Sequence, residues 1–303
     1  MRARAVAAAV AAVVVGVVVI AFTLVQGGGS APASGEPPAT GAATSSCGGW
    51  GCEQQARFAA ATALLATKPG HLGLVVRDRT TGAVWQAGEP KHPLWTASTI
   101  KLAMAVDLLE RDRAGELTLD AKARQQIADM LAFSSNTAAT SLWNRYHLST
   151  SLTRYRTTYG MTELAFGPGS SFWGQMKCTT EDLAALMSYI LDTLNEADRG
   201  YVLGAMRGVQ PIQQWGVWAA GAALAPGVKD GWSVERDAGR DHWVVLSVGF
   251  AGPGERYVVA VTQDLPPPTT ANGVSAGVHA VSDLVATVFG APVPATVVVP
   301  DRD

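Results

Sequence analysis

No basic cluster occurs anywhere in this chain. With a formal net charge of −2 over 303 residues, it lacks the electrostatic footprint of a nucleic-acid binder. No glycine-rich phosphate loop is present, which removes the usual nucleotide cradles. No cysteine and histidine cluster has metal-ligand spacing, and His71, His92, His147, His242 and His279 are scattered. Each histidine reads as a surface or satisfied core residue, and no cofactor or metal is expected. Lysine is scarce, at six. Cysteine is scarcer, at three: Cys47 and Cys52 are expected to pair, leaving Cys178 as an odd thiol that can exchange with either.

One long apolar run is present. Arg2 and Arg4 precede the uncharged stretch Ala5 to Val25, long enough to cross a bilayer. The positive flank predicts a cytoplasmic N-terminus, so residues 1–26 read as a signal anchor or signal peptide. Ala31-Pro32-Ala33 offers a cleavage site for a secreted form. No cysteine directly follows the run, which argues against lipid attachment there. Residues 27–46 are rich in Gly, Ser, Ala, Pro and Thr and read as a flexible linker. The rest is expected outside the cytoplasmic membrane, where disulfides persist.

Ser98, Thr99, Ile100 and Lys101 open a helix that is apolar on almost every side. Such a helix is usually buried. A serine and a lysine one turn apart share a face of it. Burial disfavours the ammonium form, and a neutral lysine can take a serine's proton. This is the one Ser-x-x-Lys pair in the chain. Ser134-Ser135-Asn136 follows between two helical stretches, and Lys229-Asp230-Gly231 precedes a β-rich region.

Ser-x-x-Lys, Ser-x-Asn and Lys-x-Gly in that order form the signature set of class A β-lactamases and penicillin-binding proteins. The chain resembles this family of penicillin-recognising serine hydrolases. The flanks Thr96-Ala97, Gly115-Glu116-Leu117-Thr118-Leu119-Asp120 and Thr137-Ala138-Ala139 carry the likeness further. So does Thr179-Thr180 with Asp182-Leu183-Ala184, placed like the segment after the family's omega loop. The resemblance covers roughly residues 53–290.

That likeness implies Ser98 as nucleophile, Lys101 as acylation base and Ser134 as proton relay. Asn136, Lys229, Asp230, Gly231 and Trp232 would bind substrate, with the backbone N–H groups of Ser98 and Trp232 as oxyanion hole. The departures are specific. Ser135 replaces the usual aspartate. Asp230 replaces a threonine, and an ionised Asp230 in the cleft would repel a substrate carboxylate, unless it neutralises Lys229 or turns away. The segment Phe166 to Cys178 holds no Asp or Glu, where class A enzymes place the glutamate that activates the deacylating water. Glu163 lies too early to take that role. The stretch between the first two motifs is short, which implies a reduced helical lobe.

The expected fold is α+β and β-lactamase/transpeptidase-like. An antiparallel sheet built from both chain ends is flanked by helices in a domain spanning residues 47–290, before an extended tail over 291–303. Strands are expected at Leu72 to Arg77, Ala83 to Ala87, Val228 to Val234, His242 to Phe250 and Tyr257 to Gln263. Helices are expected at Glu53 to Thr67, Ser98 to Arg113, Ala121 to Phe133, Thr137 to Tyr146, Thr180 to Leu194 and Ala276 to Phe289. The function implied is a monomeric cell-surface serine hydrolase acting on a β-lactam or a related amide. The alternatives are a D-Ala-D-Ala type peptidase on cell-wall peptides and a non-catalytic binding protein on the same fold.

Overall fold

A computed structural model describes residues 49–268 and 272–300. The proposed membrane span and linker, and Cys47, lie outside the described residues. Among those described, no helix is long and apolar enough to cross a membrane.

The elements in chain order are α1 (Cys52–Leu65), β1 (His71–Asp78), β2 (Val84–Gly88), β3 (Leu94–Trp95), α2 (Ile100–Arg113), α3 (Ala121–Ala132), α4 (Asn136–Arg145) and α5 (Leu152–Thr157). They continue with β4 (Ala165–Phe166), β5 (Met176–Cys178), α6 (Thr180–Asp192), α7 (Glu196–Arg207), β6 (Gly227–Asp237), β7 (Arg240–Ala251), β8 (Tyr257–Asp264) and α8 (Gly273–Phe289). Five strands form one antiparallel sheet in the order β2-β1-β8-β7-β6. The N-terminal hairpin thus pairs with the C-terminal strands, His71 opposite Asp264 and Asp78 opposite Tyr257. Between β6 and β7 the turn is two residues, Ala238 and Gly239, both at positive φ. That geometry matches the right-handed twist of paired strands.

Both sheet faces are covered, so the strands are apolar on both sides. Val244, Leu246, Val248 and Phe250 join the core around α2, while Val245, Val259 and Val261 join a second core with α8. Residues alternate faces with a period of two. Helix α2 is buried from Ile100 through Leu109. Its one acid there, Asp107, is held by Ser151 at 2.8 Å, Arg154 at 3.3 Å and Arg111 at 3.4 Å.

Three features differ from the sequence reading. Ser98 lies in a 3₁₀ turn, Ala97–Thr99, that leads into α2 rather than in the α-helix itself. Helix α7 was not anticipated, because Gly200 and Gly204 dilute its pattern. A small sheet, β3-β5-β4, frames the segment from Phe166 to Cys178. Cys52 is disulfide-bonded, whereas Cys178 is a free buried thiol, so Cys178 is not its partner.

Candidate active site

The 3₁₀ turn is closed by Thr99, whose N–H and hydroxyl both donate to the Thr96 carbonyl, at 3.1 and 2.6 Å. Ala97 sits at φ +43, a conformation that costs a non-glycine residue about 1–3 kcal/mol and clusters at functional sites. The turn leaves Ser98 partly exposed and buries Lys101 one turn on. Lys101 Nζ lies 2.8 Å from Ser98 Oγ, 2.6 Å from the Ser134 carbonyl, 2.6 Å from Asn136 Oδ1 and 3.3 Å from Ser134 Oγ. The Trp173 ring covers it at 4.8 Å.

Between α3 and α4, Ser134 takes φ +58, so its carbonyl and hydroxyl both turn inward. Ser135 points the other way and caps α4, accepting from the Ala138 N–H at 3.2 Å. Serine and aspartate are about equally favoured as helix caps, so the capping role survives the departure there. Asn136, the first residue of α4, turns back to Lys101.

Edge strand β6 supplies the third motif. Lys229 is fully buried. Its Nζ donates to Ser134 Oγ at 3.1 Å, to the Asp230 carbonyl at 2.8 Å and to Gln213 Oε1. Three acceptors thus match the three hydrogens of an ammonium. Burial draws its pKa down to about 7, with the neighbouring Asp230 opposing. Gly231 is required sterically, because a Cβ there would lie 2.8 Å from the Ser98 nitrogen and 2.9 Å from that of Thr99. Trp232 lines the cleft, while its indole packs edge-on to Trp215 in the second core.

Asp230 is a correction. Strand alternation puts Lys229 and Gly231 on the cleft face and sends Asp230 to the opposite face, towards Gly216 and its cross-strand partner Ser247. Its side chain therefore faces away from the cleft. Its carboxyl oxygens are buried, and burial pushes its pKa well up, with Ser247, Lys229 and the Trp215 backbone opposing. A carboxyl raised in this way stabilises the fold below its unfolded value of about 3.9. That contribution is lost as pH climbs towards the folded value, since the unfolded chain binds fewer protons there. Asp230→Asn is thus expected to melt at a higher temperature than the parent at neutral pH and at the same temperature near pH 4. Thermal unfolding as a function of pH measures this. A variant less stable than the parent at neutral pH would show that the carboxylate is ionised and held.

The motifs open onto a cavity of about 500 Å³. Its lining includes Ser98, Ser134, Asn136, Trp173, Trp232 and Glu235. From the loop between β4 and β5 come Trp173, anchored to Thr140 at 3.2 Å, and Gly174. The base of the loop is clamped by Asp182, which accepts from the N–H groups of Glu163 and Thr179 at 3.1 and 3.0 Å. Glu163 is exposed and lines a separate depression with Glu181 and Asp182. Gln175 is also exposed, and it is absent from the lining.

Three contributors were not legible as such. Gln213 lies in a short 3₁₀ turn and bridges Lys229 to the Leu131 and Ala132 carbonyls. Trp173 carries no motif. Glu235 was signalled by alternation alone, two steps past Ser233 and six past Lys229 on one strand. Burial raises its carboxyl, and the Ser233 hydrogen bond opposes that rise.

The histidines are less scattered than their spacing suggests. His71 and His92 stack at 4.0 Å, and His92 and His242 share Asp264. His71, Glu89 and His92 bring potential ligand atoms within 4.8 Å of one another. The pairing of β1 with β2 brings Glu89 and His92 to His71, and the pairing of β1 with β8 adds Asp264, a grouping that linear spacing cannot reveal.

Sheet order, helical lobe and cleft define a β-lactamase/transpeptidase-like fold. A β-lactamase from Burkholderia vietnamiensis matches it with a TM-score of 0.62 at 20% identity, covering 78% of this chain and 96% of that one. The structure of PBP-A matches with a TM-score of 0.63 at 20% identity, covering 78% and 95%. The model of the Beta-lactamase enzyme family matches residues 56–126. The putative lipoprotein LppW of Mycobacterium tuberculosis is 28% identical over 218 residues, 69% of this chain and 68% of the relative. In motifs and fold, the chain resembles the class A β-lactamase-like serine hydrolases.

Proposed function

We propose that this protein is a cell-surface serine acyl-hydrolase. Ser98 forms an acyl-enzyme with a β-lactam or related amide and releases it slowly. The observation that carries this reading is the environment of Lys101. The Ser134 carbonyl and Asn136 Oδ1 can only accept, and both lie 2.6 Å away. In the neutral amine these two would take its hydrogens and leave the lone pair for the Ser98 hydroxyl at 2.8 Å, so the geometry suits a base once Lys101 has shed its third proton.

In the proposed sequence, Ser98 Oγ attacks the carbonyl carbon as its proton passes to Lys101. As the C–N bond breaks, Ser134 hands its proton to the leaving nitrogen and takes up the one held by Lys101, 3.3 Å away, with Lys229 behind it setting the local charge. The developing oxyanion is met by the N–H groups of Ser98 and Trp232. Gly231 brings the strand backbone against the start of the helix, which supports that pairing. Asn136 keeps its amide N–H₂ for the substrate. A D-Ala-D-Ala type peptidase is the second reading, favoured by the acid-free loop. The assembled Ser98, Lys101, Ser134 and Lys229 speak against a purely binding role.

Placement at the cell surface rests on Arg2, Arg4 and the uncharged run, and on the relative named a putative lipoprotein. One experiment tests site and placement together. Intact cells producing the protein are treated with a membrane-impermeant fluorescent penicillin. The expected result is a labelled band in the membrane fraction, or in the medium for a cleaved form, that is lost in Ser98→Ala. Purified protein that shows no mass increase with any of several penicillins and cephalosporins would overturn the acylation. Labelling only after cell lysis would overturn the placement.

A further inference from the structure

We propose that the cleft contains a subsite for a cationic group, built on Glu235, so that the preferred acyl donor carries an ammonium group on the part that lies against Ser233 and Glu235. Along this edge strand Lys229, Gly231, Ser233 and Glu235 share one face. Lys229 and Gly231 complete the catalytic constellation, and Ser233 and Glu235 continue the same wall outward. Ser233 Oγ donates to Glu235 Oε1 at 2.7 Å, which fixes the carboxylate.

The charge balance of the cleft has one sign. Among the described residues lining it, Glu235 alone has an acidic or basic side chain. Both lysines of the motifs have no exposed surface. Their hydrogens are directed to Ser134, Asn136, Gln213 and the Asp230 carbonyl, so neither offers a free cation to an anionic ligand. Neighbouring basic side chains are engaged elsewhere: Lys177 pairs with Asp237 at 3.0 Å, and the His242 ring nitrogens meet Asp237 and Asp264. Glu235 makes no ion pair among the described residues. A fixed, unpaired carboxylate in a partly dry cleft attracts an ammonium and repels a carboxylate. Aromatic neighbours such as Phe133 and Trp173 in the same lining suit a cation as well.

This inference deepens the acyl-hydrolase reading and rests on it only for the position of the scissile amide. Its test therefore uses binding rather than turnover. Non-reactive amides of matched size, ending in an ammonium, a neutral or a carboxylate group, are titrated by tryptophan fluorescence. The proteins compared are the parent, Ser98→Ala, Glu235→Gln and Glu235→Lys. The parent and Ser98→Ala are expected to bind the ammonium amide about tenfold more tightly than the carboxylate amide. Glu235→Gln should remove the preference and Glu235→Lys reverse it. Equal affinities in the parent, no measurable binding of the ammonium amide, or a preference that survives both Glu235 variants would overturn the subsite. Absence of acylation in the separate mass experiment would instead remove the hydrolase reading and leave this measurement standing.

Discussion

Lys101→Ala is expected to slow acylation of Ser98 by about 10²–10⁴-fold, the usual contribution of a positioned general base. This range corresponds to about 3–5 kcal/mol in the barrier. The fold will not be indifferent to the change. Lys101 is fully buried, and its loss strands the buried Ser134 carbonyl, at about 1–3 kcal/mol for such a group left unmade, and releases the more exposed Asn136 Oδ1. Acylation must therefore be read on folded protein, by intact mass over time, beside a calorimetric melting curve. A folded variant that acylates at the parent rate would show that Lys101 is not the base. A variant that loses both steps only because it unfolds would be recognised from the melting curve.

The acyl-enzyme, once formed, is expected to persist. Mixing with a β-lactam should give a burst close to one equivalent, followed by weak turnover. Class A enzymes clear this intermediate with a loop glutamate. Here the loop presents Trp173 and Gly174 to the cavity. Glu163 opens onto a different depression, its N–H tied to Asp182, and Gln175 faces solvent. An unassisted water forfeits a factor of about 10²–10⁴. Lys101 can assist this second step only after it has lost the proton taken in the first. Glu235, on the opposite wall, is assigned to binding. Stopped-flow and quenched mass measurements separate the two rates. Fast steady-state hydrolysis without an accumulating adduct would refute this account and direct attention to Glu235 or another acid as the water's base. Asp230 is expected to take no direct part in either step, because its side chain lies on the other face of β6.

The amino-acid sequence by itself determined the outline. Short apolar runs at both chain ends, the apolar helix after Ser98, and three ordered motifs pointed to an antiparallel sheet from both chain ends and a Ser-Lys-Ser constellation. These are local signals, written in run lengths and short spacings. The motif alone leaves open whether Asp230 faces the cleft, and the strand decides that it turns away. Side-chain direction follows the strand, and the middle residue of a strand tripeptide faces away from its neighbours.

What the tertiary structure alone decided is which distant groups meet. Gln213 reaches Lys229 across 16 residues, and Trp173 covers Lys101 across 72. His71 and His92 stack only once β1 and β2 have formed. The sign of the cleft's charge is likewise a tertiary property. The chain has nearly equal numbers of basic and acidic residues, yet the fold buries Lys101 and Lys229 behind their acceptors and leaves Glu235 facing the cavity. Composition cannot predict this, because burial and pairing, not the number of charges, set the field that a ligand meets.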